Sequence, residues 1–151
     1  MKKVREFMTG DVLTVMPTTP VGELAKLFLD TGVSGFPVVD ENKRLVGVVS
    51  ERDLIHRDQK LHIPTFFTLF DSVFSFGANK KLEEEMRVVA ASTVGDIMKE
   101  AVTVSPDATH SDVATLMGDS GAYTLPVVDE NGDIIGIVGK RDIIKAMGDA
   151  I

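Results

Sequence analysis

The residues with the clearest chemical potential lie in two four-residue segments. Residues 50–53 read S-E-R-D and residues 139–142 read G-K-R-D, and each segment directly follows an apolar run. A carboxylate just inside a helix start, such as Asp53 or Asp142, can accept two hydrogen bonds from the neighbouring hydroxyls of a ribose, as acidic residues do in dinucleotide-binding folds. The pattern therefore predicts two binding positions for a ribose-containing ligand.

The side chains beside these aspartates suit a phosphate group. Each segment opens a predicted helix, whose start offers unpaired N–H groups and the positive end of the helix dipole. Ser50 adds a hydroxyl donor, and three basic residues add positive charge for phosphate oxygens, namely Arg52, Lys140 and Arg141. A simpler interpretation stays open, in which Ser50 and Asp53 only cap the helix, stabilise it by about 1 kcal/mol and need no ligand.

Both segments belong to a tandem repeat. Residues 14–55 return as residues 103–144 at a constant spacing of 89, and 18 of the 42 aligned positions are identical. A duplication of this length implies two equivalent units, and therefore two equivalent sites, related by an approximate two-fold axis.

The two copies differ where a ligand would bind. Gly139 stands at the position of Ser50 and Lys140 at the position of Glu51, so that the second site lacks a hydroxyl but is more basic. The loss of one hydroxyl contact typically costs about 0.5–1.5 kcal/mol. We therefore expect different affinities or different ligands at the two sites, with the more complete ribose-phosphate signature in the first.

Each repeat is predicted to fold as strand, helix, strand, strand, helix. In the first copy Thr19 is the predicted N-cap and Pro20 the first helical residue, and Gly32 ends this helix. The apolar face of the helix repeats at helical spacing and consists of Val21, Leu24, Ala25 and Phe28. The turns at residues 42–43 and 131–132 predict antiparallel hairpins, because Asn-Gly is a strong hairpin signal. One such small sheet with its helices cannot cover both of its faces, so we expect the two units to pack against each other.

Composition limits the classes of function. The chain of 151 residues is 44% hydrophobic and 26% charged, as in ordinary globular proteins, and no apolar run is long enough for a membrane span. The chain has no cysteine and no recognisable secretory signal, which predicts a cytoplasmic protein without disulfides or thiolate metal sites. Its net charge of −7 argues against broad nucleic-acid binding. The three histidines lack ligand spacing, so no metal site is predicted.

These motifs resemble a tandem pair of CBS domains, the arrangement called a Bateman module. The resemblance rests on the order of the elements and covers residues 4–58 and 92–148. Three short motifs carry it, each of them twice: V-R-E-F-M at 4–8 and V-G-D-I-M at 94–98, P-V-V-D at 37–40 and 126–129, and G-V-V-S-E-R-D at 47–53 with G-I-V-G-K-R-D at 136–142.

The resemblance implies an α/β (α+β) fold of two CBS domains. Each domain is expected to be a small three-stranded sheet with flanking helices, and the two are expected to pack with pseudo-two-fold symmetry. The predicted boundaries are residues 1–60 for CBS domain 1, 61–91 for a helical connecting segment and 92–151 for CBS domain 2.

The resemblance also implies a regulatory module, not an enzyme, that binds AMP, ADP, ATP or S-adenosylmethionine in clefts between the two domains. In similar proteins adenine is held near the first strand and just before P-V-V. The matching residues are Thr14, Val15, Gly35, Phe36 and Pro37 in the first copy, and Thr103, Val104, Tyr123, Thr124, Leu125 and Pro126 in the second. Tyr123 is expected either to contact a base or ribose or simply to pack.

The connection between the repeats leaves a second function open. Residues 64–77 are rich in phenylalanine, and Phe66, Phe70 and Phe74 fall at helical spacing before an amphipathic helix. This segment is expected either to pack on its own module or to form a homodimer interface or dock a partner, since excess apolar surface tends to mark contacts. The alternative function is therefore a ligand-independent dimerisation or interaction module with vestigial clefts, and an unknown effector protein is expected as the partner. An enzyme acting on nucleotides has little support, because no nucleophile–base pair and no glycine-rich phosphate loop is visible.

Overall fold

The order of elements in the protein repeats once along the chain. The computed structural model describes residues 1–55 and 92–149, so the predicted connecting segment at 61–91 and its phenylalanines lie outside the described residues. The elements are α1 (Val4–Phe7), α2 (Val21–Thr31), β1 (Gly35–Val39), β2 (Leu45–Ser50), α3 (Glu51–Ile55), α4 (Val94–Ile97), α5 (His110–Ser120), β3 (Thr124–Val128), β4 (Ile134–Gly139) and α6 (Lys140–Asp149). The two halves have the same sequence of helices and strands, as the duplication predicts.

Each repeat contains one antiparallel hairpin, and this prediction is confirmed. Strand β1 pairs with β2 and β3 pairs with β4 in the same register, so that Gly35 lies opposite Ser50 and Thr124 opposite Gly139. The first hairpin turn is closed by the Asp40 carboxylate, whose Oδ1 accepts hydrogen bonds from the N–H groups of residues 42 and 44, each at 2.9 Å. The second turn is closed in the same way by the corresponding aspartate at position 129.

The predicted third strand of each sheet is reduced to a single residue. Val15 forms a parallel bridge to Val38, donating a hydrogen bond to Pro37 at 3.1 Å and accepting one from Val39 at 2.8 Å. Val104 makes the equivalent bridge in the second repeat. The extended segment stops because a proline two residues later turns the chain. Each sheet therefore has two full strands and one bridging residue at its third position.

The helix predicted after Thr19 in the first repeat forms as α2, but it begins one residue later than expected. Its apolar face of four residues is buried and Gly32 ends it in the left-handed conformation at φ 69°. Pro20 is the N-cap rather than the first helical residue, because it is held extended by a backbone bridge to Thr93. The Thr19 hydroxyl instead accepts a hydrogen bond from the Met16 N–H at 3.0 Å. The prediction that Thr19 caps this helix was therefore wrong by one position.

The segment that precedes each repeat packs on the other repeat. We call residues 4–8 and 94–98 the lead-in segments. The Val4 N–H donates to the carbonyl oxygen of Ala108, and the Val94 N–H donates to that of Thr19, each at 2.8 Å. Both valine side chains are 0% exposed: Val4 lies in the hydrophobic core of the second repeat and Val94 in that of the first. Neither core is therefore complete without residues from the other half of the chain.

An ion pair and two glycines accompany this crosswise packing. The Arg5 side chain on α1 donates a hydrogen bond to Asp107 and holds the pKa of that exposed carboxyl below its usual value. A Cβ on Gly47 would lie 2.8 Å from the carbonyl oxygen of Lys99, and one on Gly136 would lie 2.5 Å from the sulfur of Met8. The glycine that begins each of the motifs G-V-V-S-E-R-D and G-I-V-G-K-R-D therefore makes room for the lead-in segment of the opposite repeat.

We expect Val4→Ala to destabilise mainly the second repeat, and Val94→Ala to destabilise mainly the first. Each removes two buried carbon atoms and should lower the free energy of unfolding by about 2 kcal/mol in urea denaturation. In hydrogen exchange, Val4→Ala should reduce amide protection mainly in residues 102–149, and Val94→Ala mainly in residues 12–50. Val46→Ala is the control, because Val46 is 41% exposed and its loss should cost well under about 1 kcal/mol. Loss of protection confined to the repeat that carries the mutation would contradict the crosswise arrangement.

Candidate functional site

Asp53 is a buried carboxylate at the start of α3, only 3% exposed. Its Oδ2 accepts hydrogen bonds from the Ser50 N–H at 2.7 Å and from the Ser50 hydroxyl at 3.2 Å. Its Oδ1 lies 3.6 Å from Lys99 Nζ. One oxygen thus caps the helix, as the simpler interpretation expected, whereas within the described part of the chain the other has only a long ion pair and retains acceptor capacity.

Asp142 occupies the corresponding position at the start of α6 and is half-buried. Its Oδ2 accepts a hydrogen bond from the Gly139 N–H at 2.8 Å, and the Thr9 hydroxyl donates to its Oδ1 at 3.3 Å. The backbone part of the cap is therefore the same in both repeats. The side-chain part differs, because Gly139 has no hydroxyl and a threonine takes the place of the Lys99 ammonium.

Each aspartate lines a cavity at the junction of the two repeats. The Asp53 cavity measures about 350 Å³ and is lined by Ser34, Val48, Ser50, Glu51, Arg52, Asp53, Lys99, Glu100, Val102, Ser120, Gly121, Ala122, Tyr123, Thr124 and Lys140. The Asp142 cavity measures about 260 Å³ and is lined by Thr9, Asp11, Leu13, Gly32, Val33, Ser34, Gly35, Phe36, Thr124, Ile137, Gly139, Lys140, Arg141 and Asp142. Both cavities draw residues from both repeats, so a ligand in either one would bridge the two halves.

The structure brings together ten of the seventeen residues predicted to contact a ligand. Ser50, Arg52, Asp53, Tyr123, Thr124 and Lys140 line the Asp53 cavity, and Gly35, Phe36, Arg141 and Asp142 line the other, which also includes Thr124 and Lys140. The remaining predicted residues line neither cavity: Thr14, Val15, Pro37, Thr103, Val104, Leu125 and Pro126.

Burial explains why five of these seven residues do not line a cavity. Val15, Val104 and Leu125 belong to the two hydrophobic cores, and the two prolines are buried in the hairpins. Thr14 and Thr103 are exposed. Their assignment to adenine binding stays a prediction.

Lys99 and Thr9 are site residues that the sequence reasoning missed. Each directly follows a lead-in motif and pairs through its backbone with the strand that ends at the aspartate of the other repeat. Lys99 exchanges two hydrogen bonds of 2.9 Å with Val48, and Thr9 does the same with Ile137. The signal available in the sequence was the lead-in motif itself, but its spacing does not reveal that each lead-in crosses to the other repeat.

The Tyr123 ring contacts one cation from each repeat. The Arg52 guanidinium is 5.5 Å and Lys140 Nζ is 5.1 Å from the centre of its ring, distances at which cation–π attraction operates. Arg52 Nη1 also donates a hydrogen bond to the carbonyl oxygen of Gly121 at 3.0 Å. Lys140 therefore lines both cavities, rather than making the second site alone more basic as the sequence suggested.

The two hairpins touch at the centre of the molecule through Gly35 and Thr124, which are equivalent positions in the repeat. A Cβ on Gly35 would lie 2.1 Å from the Thr124 hydroxyl oxygen, much closer than atoms can approach. Thr124 is 7% exposed and lines both cavities. The glycine therefore sets the distance between the repeats at the point where the cavities meet.

Among residues 1–55 and 92–149, no helix is long and apolar enough to cross a bilayer. Within the same ranges no three histidine, aspartate or glutamate side chains come together in a way that would hold a metal ion.

Comparison with known proteins identifies the family. The family model described as CBS domain matches residues 4–60 and 94–149. The chain therefore belongs to the CBS-domain family, and its two matches together with the two hairpins make it a tandem CBS pair of the α+β class.

Related proteins share the whole described fold. The chloroplastic CBS domain-containing protein CBSX1 of Arabidopsis thaliana is 34% identical over 151 residues, which cover 95% of this chain and 63% of the relative. An uncharacterized protein of Methanocaldococcus jannaschii is 33% identical over 144 residues, 95% of this chain but 43% of its own. The crystal structure of Arabidopsis thaliana CBSX2 in complex with AMP superposes with a TM-score of 0.72 at 28% identity, covering 99% of this chain and 98% of that one. The chain thus spans less than two thirds of the length of these two sequence relatives.

We expect Gly35→Ala to destabilise the contact between the repeats. The new methyl group collides with Thr124, and overpacking of this kind typically costs about 1–3 kcal/mol in the free energy of unfolding. Adding Thr124→Gly should restore much of that loss, which a double-mutant cycle by urea denaturation would measure as coupling. Gly22→Ala is the control, because a Cβ there meets nothing within 4 Å and should be neutral or stabilising. Additive effects of Gly35→Ala and Thr124→Gly would show that the two residues do not meet.

Proposed function

We propose that the chain is a regulatory module that binds adenosine-containing ligands, namely AMP, ADP, ATP or S-adenosylmethionine, in the two cavities between its CBS domains. The observation that carries the proposal is the buried Asp53 carboxylate, which lines a cavity and uses only one of its oxygens for the helix cap. The other oxygen suits the vicinal hydroxyls of a ribose, since a desolvated carboxylate accepts strong hydrogen bonds from neutral donors.

The Asp53 cavity has the size and mixed lining of a small-molecule site. Its volume of about 350 Å³ falls within the range of about 300–1,000 Å³ that is usual for such sites. Val48, Val102 and Ala122 supply apolar surface for a base, and the polar groups stand beside them. The CBSX2 structure holds AMP in a protein of the same fold, which supports an adenosine ligand for this chain.

The crosswise architecture suggests how binding would be transmitted. A ligand in either cavity touches both repeats, so it favours whichever relative placement of the repeats gives the better contacts. Its differential affinity for two such placements is the only source of free energy for a regulatory signal. In this proposal the chain has no catalytic role and acts on an effector protein in the cytoplasm.

We also propose that the chain forms a homodimer. Leu29 on α2 is 69% exposed, and Ile144 and Met147 on α6 are 65% and 47% exposed. Apolar side chains on the outer faces of helices are the surface that a second copy would cover. We propose the same domain boundaries as the sequence predicts, with CBS domain 1 at residues 1–60, the connecting segment at 61–91 and CBS domain 2 at 92–151.

We expect two moles of ligand per mole of chain in isothermal titration calorimetry with AMP, ADP, ATP and S-adenosylmethionine. Asp53→Asn and Asp142→Asn should each remove one of the two, because an amide keeps the size of the carboxylate but loses its charge-assisted hydrogen bonds, typically about 1.5–3 kcal/mol. Asp30→Asn on the exposed side of α2 is the matched control and should retain both. Failure of all four ligands to bind below about 1 mM would refute the sensor function.

We expect light scattering to give a mass of twice the 16.3 kDa chain. Ile144→Glu should shift the protein to monomer, since a charge cannot be buried in an apolar contact without a partner. Asp133→Glu at an exposed turn is the control. A dimer that forms fully without ligand, in a chain that binds none, would favour the interaction module with vestigial clefts. A monomeric wild-type chain would exclude the homodimer.

A further inference from the structure

The two cavities differ in how they place positive charge around their aspartates. Resting on the function proposed above, we propose that the Asp53 cavity selects adenosine ligands that carry a phosphate group, whereas the Asp142 cavity binds adenosine ligands without preference for phosphate. The determinant is Lys99, together with the cation pair that Arg52 and Lys140 form around Tyr123.

Three cations from separate elements enter the Asp53 cavity. Arg52 comes from α3, Lys99 from the segment after α4, and Lys140 from α6 of the other repeat. Arg52 and Lys140 both lie within 5.5 Å of the Tyr123 ring centre, and neither is ion-paired with a carboxylate of the described residues. Two such like charges near one ring repel each other, and an anion between them converts that repulsion into two attractions.

The Lys99 ammonium lies where it can bind a phosphate while Asp53 binds the ribose of the same ligand. Its Nζ is 3.6 Å from Asp53 Oδ1, a long ion pair, and its side chain is 54% exposed. Because the ammonium is far from the carboxylate and half exposed to solvent, it can move to a phosphate oxygen without breaking a short hydrogen bond. The 5′-phosphate of a nucleotide is joined to its ribose through a single methylene group, which keeps it within reach of a cation beside the ribose-binding carboxylate.

The Asp142 cavity lacks this arrangement at three corresponding positions. Thr9 stands in place of Lys99 and Ser34 in place of Tyr123, and the equivalent of Lys140 is Glu51, which does not line this cavity, whereas Lys140 itself does. Arg141 and Lys140 both line the cavity, but among the described residues Arg141 makes no cation–π contact and Lys140 lies over the Tyr123 ring.

Carboxylates line both cavities. The two cavities therefore differ in where their cations lie rather than in net charge. Glu51 and Glu100 of the Asp53 cavity are exposed, where solvent screens them, as is Asp11 in the other. Among residues 1–55 and 92–149, Asp53 forms an ion pair, with Lys99, whereas Asp142 forms none. A phosphate dianion is therefore favoured there and gains little at Asp142.

The test compares AMP with adenosine by calorimetry at each cavity separately. In Asp142→Asn, which leaves the Asp53 cavity, AMP should bind at least about tenfold more tightly than adenosine, or ~1.4 kcal/mol. Adding Lys99→Thr should reduce the preference for AMP several-fold, with Arg52 and Lys140 retaining the rest, and raising the salt concentration from about 0.05 to 0.5 M should weaken AMP binding selectively. In Asp53→Asn the two ligands should bind alike, and adding Thr9→Lys should favour AMP several-fold.

Lys26→Thr provides the matched control, because Lys26 is exposed on α2 and lines neither cavity; it should leave the preference for AMP unchanged. An equal preference for AMP at both cavities, or a preference that Lys99→Thr leaves unchanged, would overturn the assignment while leaving adenosine sensing intact. If neither AMP nor adenosine binds the wild-type chain, the proposed function itself fails and this assignment fails with it. Should Asp53→Asn lose its circular-dichroism spectrum, the Asp142→Asn series decides the question alone.

Discussion

The structure depends on the exchange of the two lead-in segments. Val4 and Val94 are fully buried in the core of the opposite repeat, and the backbone bonds beside them tie residues from distant parts of the chain. Burying a valine side chain contributes about 1.5–3 kcal/mol, so each exchange is a substantial part of the stability of a small domain. The exchange also explains the glycines at positions 47 and 136, which leave space for the crossing segment.

The same exchange builds the two cavities. Lys99 and Thr9 follow the crossing helices and therefore reach the aspartate of the other repeat. In each half, three parts of the chain meet at one point. They are the end of a strand, the start of a helix and the crossing segment of the other repeat. The chemistry of each site is thus set by three parts of the chain, and the motifs that mark them in the sequence do not show that they meet.

The sequence predicted the features that depend on neighbours along the chain. The apolar face of α2, its end at Gly32 and both hairpins follow from local spacing and turn chemistry, and the structure has them. The cap at Pro20 and the single-residue third strand were not foreseen, because both depend on backbone bonds to residues far away in sequence. The cationic pair around Tyr123 was not predicted for the same reason. A repeat shows which positions are equivalent but not which of them meet.

The contact between Gly35 and Thr124 limits how symmetric this protein can become. An idealised version with two identical halves would set each of these positions against a copy of itself. Threonine on both sides cannot fit, since even a single added Cβ at position 35 lies 2.1 Å from the Thr124 oxygen. Glycine on both sides fits but leaves a gap where a buried threonine now packs. A designer who wishes to make the halves interchangeable must therefore start from glycine at both positions and fill the gap from another direction.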